Sequence, residues 1–75
     1  MNAKDVAAFR DIVRAGGAVF DRATHERIEV NSCDSQFVDV RAPEDAHLPP
    51  GFYTIMPWST ACRRFYAVDS RERGV

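Results

Sequence analysis

The chain has 75 residues, 45% of them hydrophobic and 28% charged, with a formal net charge of −1 from ten basic and eleven acidic side chains. It is too apolar and too nearly neutral to be disordered, and too short to divide its apolar residues between two cores, so one compact domain over residues 1–75 is expected. Near-neutrality also leaves no global field for nucleic acid or an anionic membrane, and excludes the dense negative charge of a DNA mimic.

The amino-terminal segment predicts a helix. Asn2 is placed to accept a hydrogen bond from the first turn, and Asp5 puts negative charge at the positive end of the helix dipole. Val6, Phe9 and Val13, with Ile12 beside them, fall on one face, and Gly16-Gly17 ends the helix after Ala15. Alternation then replaces the helical period. Ala18 to Arg22 and Arg27 to Asn31 read as two strands joined by Ala23-Thr24-His25-Glu26, a hairpin-length loop without an Asn-Gly or Asp-Gly signal. Ile28 and Val30 share one face, with Arg27, Glu29 and Asn31 on the other. After a polar turn over residues 31–35, Gln36 to Arg41 forms a third strand in which Val38 and Val40 oppose Phe37, Asp39 and Arg41.

Residues 42–51, APEDAHLPPG, make a surface connection, and Pro50-Gly51 suits the central positions of a type II turn. Phe52 to Met56 reads as a fourth strand ended by Pro57, Pro57 to Thr60 as a turn, Arg63 to Asp69 as a fifth strand, and Ser70 to Val75 as a flexible polar tail. The expected fold class is therefore α+β: one N-terminal helix packed on a four- to five-stranded, mostly antiparallel sheet.

No apolar run reaches the roughly 20 residues of a membrane span, and Lys4, Asp5, Arg10 and Asp11 interrupt any signal-peptide core, so a cytoplasmic protein is expected. Cys33 and Cys62 are too few for a disulfide framework and read as free thiols, one bridge between neighbouring strands being the alternative. Nine of the ten basic residues are Arg, which points to a GC-rich bacterial or phage genome or, physically, to the bidentate bonding and stacking that Arg provides.

Chemistry-bearing patterns are absent from this reading. A cysteine with His25 or His47 has no nucleophile signature around it, and Cys33, Cys62 and the two histidines, separated by 8, 14 and 15 residues along the chain, lack the close ligand pairs of a zinc site. Ser59 and Thr60 sit without elbow glycines, Gly16-Gly17 follows a helix instead of opening one, and Glu44-Asp45 reads as a solvated pair. No enzymatic activity, metal or cofactor is expected.

The informative stretch is Pro49 to Val68, which holds five of the eight aromatic residues and the Arg63-Arg64 pair. Read as a carboxy-terminal hairpin, it is apolar on both faces. Tyr53 and Ile55 oppose Phe52, Met56 and Trp58 on one strand, and Phe65 and Ala67 oppose Arg64, Tyr66 and Val68 on the other. One side enters the core and the other is left for a partner, so the candidate partner-binding residues are Phe52, Tyr53, Met56, Trp58, Arg63, Arg64 and Tyr66. The competing account places these aromatics in the core, with the arginines paired to carboxylates.

The leading expectation is a small non-enzymatic protein-binding module acting through that hairpin. Self-association into a homodimer through the same surface is the first alternative, and single-stranded nucleic-acid binding, disfavoured by the charge balance, is the second. No family is recognised from aligned residues. In size and composition the chain is similar to the small accessory proteins of bacteriophages and mobile elements that cap a host protein, such as anti-CRISPR proteins. That similarity implies an inhibitor of a host protein and assigns no residue.

Overall fold

In the computed structural model, which describes residues 2–69, the first helix (α1, Ala3–Arg14) begins where its capping chemistry directs. The Asn2 carboxamide oxygen accepts the Asp5 N–H at 2.9 Å. At the other end, Gly16 N–H bonds to the Val13 carbonyl at 3.0 Å and Gly17 N–H to that of Ile12 at 2.9 Å. This paired closure needs a left-handed residue, and Gly16 supplies it with φ 95°. The expected tail, Ser70 to Val75, lies outside the described residues.

Five strands follow: β1 (Ala18–Asp21), β2 (Arg27–Cys33), β3 (Phe37–Arg41), β4 (Thr54–Pro57) and β5 (Phe65–Val68), with a 3-10 turn at Pro43–Asp45 and a second helix, α2, at Trp58–Arg64. They form one sheet of order β4-β3-β2-β1-β5 in which every neighbouring pair is antiparallel. The α+β class, a helix on a five-stranded antiparallel sheet, is therefore the observed one. The second helix is an addition to it.

Cross-strand register collects the core. Val19 stands opposite Ile28 and Ala67, Val30 opposite Val40, and Val38 opposite Met56, so one face of the sheet is aliphatic. Phe9 and Val13 of α1 and Trp58, Ala61 and Cys62 of α2 close over that face, with Phe65 completely buried among them. Each large side chain so buried contributes about 1.5–3 kcal/mol. The Phe9 and Trp58 rings meet edge to face at 6.0 Å, and the indole N–H donates to the Asp34 carbonyl at 2.8 Å.

Aspartates organise the two hairpin turns. One Asp21 carboxylate oxygen accepts from Ala23 N–H at 2.8 Å and Thr24 N–H at 3.1 Å, and one Asp34 oxygen accepts from Gln36 N–H at 2.7 Å and Phe37 N–H at 2.8 Å. His25, with φ 62°, takes the left-handed position that an Asn-Gly turn would give to glycine. Between β3 and β4, Arg41 gathers the loop by donating to the carbonyls of Leu48 (2.9 Å), Pro49 (3.2 Å) and Phe52 (2.8 Å). Pro50 and Gly51 occupy the two central turn positions as expected: Gly51 has φ 93°, and Phe52 N–H bonds to the Pro49 carbonyl.

The carboxy-terminal hairpin is not formed. Four successive antiparallel neighbours make β4 and β5 run in the same direction on opposite edges of the sheet, and strands so related cannot be joined by a tight turn. The link is α2, which replaces the turn expected at Pro57 to Thr60. Trp58, Ala61, Cys62 and Phe65 recur at intervals of 3, 4 and 7, the period of a helix buried on one face. Pro57 leads into it, with its fixed φ of −65°.

Two predictions follow from these constraints. A β-carbon on Gly17 would lie 2.8 Å from the Val68 carbonyl oxygen and 2.9 Å from that of Ile12, both backbone atoms. Gly17→Ala should therefore cost about 1–3 kcal/mol, lowering the thermal midpoint by roughly 4–8 °C per kcal/mol; an unchanged circular dichroism melt would show that β5 does not pass so close to this turn. The second concerns acid. Amide hydrogen bonds, from Ala23 then Thr24 to Asp21 and from Gln36 then Phe37 to Asp34, hold both carboxyls below the usual range. A depressed folded pKa contributes stability above the unfolded value and loses it as pH falls through the folded one, so these groups contribute fully above about pH 4 and progressively less below it. Replacing both by Asn, which retains the accepting oxygen, should make the acid limb of the melting profile shallower than in the parent chain.

Candidate functional site

The alternation that turns Val19, Ile28, Val38, Val40 and Met56 toward the helices turns their neighbours to the opposite face, which no described element covers. At its β1–β5 end, Phe20 stacks on Tyr66 with ring centroids 5.5 Å apart. His25 meets the Tyr66 ring edge-on at 5.9 Å, and its Nδ1 lies 3.1 Å from the Tyr66 hydroxyl oxygen. The two aromatic rings thus shield each other.

The middle of this face is polar and internally matched. Glu29 stands opposite Arg41, the Tyr53 hydroxyl donates to the Glu29 carboxylate, and the Asn31 amide donates to Asp39 at 3.1 Å. The Glu29 hydrogen bond, reinforced by burial and by carboxylate charge, raises the Tyr53 pKa above its ordinary value, because a phenolate there would face an anion; Arg41 opposes the shift. β2 carries a bulge between Val30 and Ser32, where its pairing with β3 shifts register.

The β3–β4 end is different. Phe37 is 40% exposed, Ile55 67% and Phe52 57%, and these are the exposed large hydrophobic residues of the described chain. Phe37 lies opposite Pro57 and Ile55 opposite Asp39, which makes Phe37 and Ile55 diagonal neighbours on the uncovered face. Phe52 occupies the turn that leads into β4. Phe37 and Ile55 share the corner at the Pro57 end of β4, whereas Phe52 lies beyond the Thr54 end of that strand.

Each outer strand has one outward position without an available N–H. The bond from Asp34 N–H to the Phe37 carbonyl turns the Phe37 backbone toward β2. By alternation, Val38 and Val40 then pair Met56 and Thr54, which leaves Ile55 and Pro57 facing outward, and Pro57 has no N–H to offer. On the other edge, Phe65 N–H is engaged with the Ala61 carbonyl at the end of α2. A short strand bearing an edge proline is a recognised means of blunting a sheet edge.

The seven residues singled out in the sequence are dispersed by this architecture. Met56 and Trp58 are 5% and 4% exposed, part of the core, because β4 turns Met56 under the helices and α2 turns Trp58 onto Phe9. Phe52 and Tyr53 adjoin the start of β4, the opposite end of that strand from the Phe37–Pro57 pair. Tyr66 lies on the uncovered face at the far edge, stacked on Phe20. Arg63 and Arg64 end α2; Arg64 pairs with Glu44 and its guanidinium carbon lies 5.0 Å from the centre of the Phe65 ring. Phe37 and Ile55 were missed. Their signal was available: each is a large apolar residue in a strand whose buried positions Val38, Val40 and Met56 already account for the core face.

Cys33 is an exposed free thiol at the end of β2, the buried Cys62 Sγ lies 3.8 Å from the Asp5 carbonyl oxygen, and His47 bonds through Nδ1 to the Glu44 carbonyl at 2.9 Å. Among the described residues, no three His, Cys, Asp or Glu side chains converge for a metal ion, and no helix is long and apolar enough to cross a membrane. Compared with known proteins, the chain matches no family model, no curated protein and no solved structure.

The Tyr53–Glu29 contact makes a measurable prediction. A raised folded pKa contributes stability below the unfolded value, near 10, and loses it as pH rises through the folded value. Glu29→Ala should therefore lower the Tyr53 ionisation midpoint, followed by phenolate absorbance in a Tyr66→Phe background, and remove the corresponding fall in stability at alkaline pH. An identical titration curve in the Glu29→Ala chain would show that the hydroxyl has no carboxylate partner in solution.

Proposed function

We propose that the chain is a small non-enzymatic protein-binding module whose docking surface is the β3–β4 corner of the uncovered sheet face. The observation that supports this most is the diagonal pair of Phe37 and Ile55, 40% and 67% exposed, on the uncovered face of β3 and β4, where most other large apolar residues of the described chain are buried or half-buried. Contiguous exposed apolar surface rimmed by polar groups is the composition of recognition sites. Glu29, Asp39 and Arg41 form such a rim, and their alternating charge fixes register more than affinity.

The missing Pro57 donor and the engaged Phe65 N–H favour recognition through side chains on the face over backbone pairing. The same rim disfavours nucleic acid, since Glu29 and Asp39 would stand against phosphates wherever Arg27 and Arg41 attract them. A capping inhibitor of a host protein, the role that the chain's size and composition bring to mind, would use a surface of this kind.

The test is affinity capture from the source organism by the immobilised chain, with Phe37→Ala plus Ile55→Ala as the comparison. Both positions are exposed, so the double variant should melt within about 0.5 kcal/mol per site of the parent. Loss of about 2 kcal/mol of binding at a hot spot weakens capture roughly 30-fold, and a captured protein retained equally by both chains would remove the corner from the site. Sedimentation of the free chain at tens of micromolar should give a monomer. A dimer in the parent that dissociates in the double variant would assign the corner to a second copy instead.

A further inference from the structure

We draw no further inference here: the strongest candidate, the notch of about 610 Å3 where β2 runs past the Gly16–Gly17 turn beyond its pairing with β1, carries nothing because nothing in the structure shows what covers it.

Discussion

Trp58 is the point on which the remaining structure depends. It opens α2 directly after an edge strand, its ring packs on Phe9 of α1, and its N–H holds the carbonyl of the β2–β3 turn at Asp34. One side chain thereby ties both helices to the far end of the sheet. A buried indole needs a partner for its N–H, and meeting that need with a turn carbonyl fixes where α2 lies along the sheet as well as its depth. Once α2 is so placed, Ala61, Cys62 and Phe65 are carried into the core in succession, and β5 emerges beside β1 and not beside β4.

Placing both helices on one side decides the character of the other. A chain of this length has too few elements to cover two faces of a five-stranded sheet, so half of every strand meets solvent or a partner. Most of that half is arranged for water. Phe20 and Tyr66 cover each other, Tyr53 and Asn31 are bonded to carboxylates, and Arg41, opposite Glu29 in register, donates to three loop carbonyls. The apolar corner at Phe37 and Ile55 is the departure from this pattern, and it sits at the edge of the sheet farthest from the aromatic stack.

Much of the fold was legible in local chemistry. Asn2, Asp5 and the two glycines mark α1 to within a residue of its bounds, and the alternating valines of β2 and β3 identify the core face correctly. The Pro50-Gly51 turn was equally plain because only glycine adopts its backbone angle cheaply. What misled was the stretch after Pro57. Trp, aromatic and β-branched residues flank it, so strand propensity dominates a short window, whereas the helical recurrence of Trp58, Ala61, Cys62 and Phe65 needs eight residues to show. Seven-residue helices have little intrinsic stability, and α2 exists because its apolar stripe is buried against α1 and the sheet. That tertiary cause is not a local property. The site inherited the error, since a hairpin would have brought Trp58, Arg64 and Tyr66 onto one surface that the crossover instead divides among core, helix end and far edge.

The position of Pro57 links the fold to its proposed use. Its ring removes a donor from the outer edge of β4, and in the same place it sits opposite Phe37 on the exposed face. Removing backbone donors from an edge lowers the hazard of indiscriminate strand pairing, which a bare apolar corner would otherwise increase. In the proposed role, a surface built in this way would favour shapes that fit Phe37 and Ile55 over generic extended chains. For a domain with little stability to spare, that combination leaves an apolar patch exposed while lowering its tendency to nucleate aggregation.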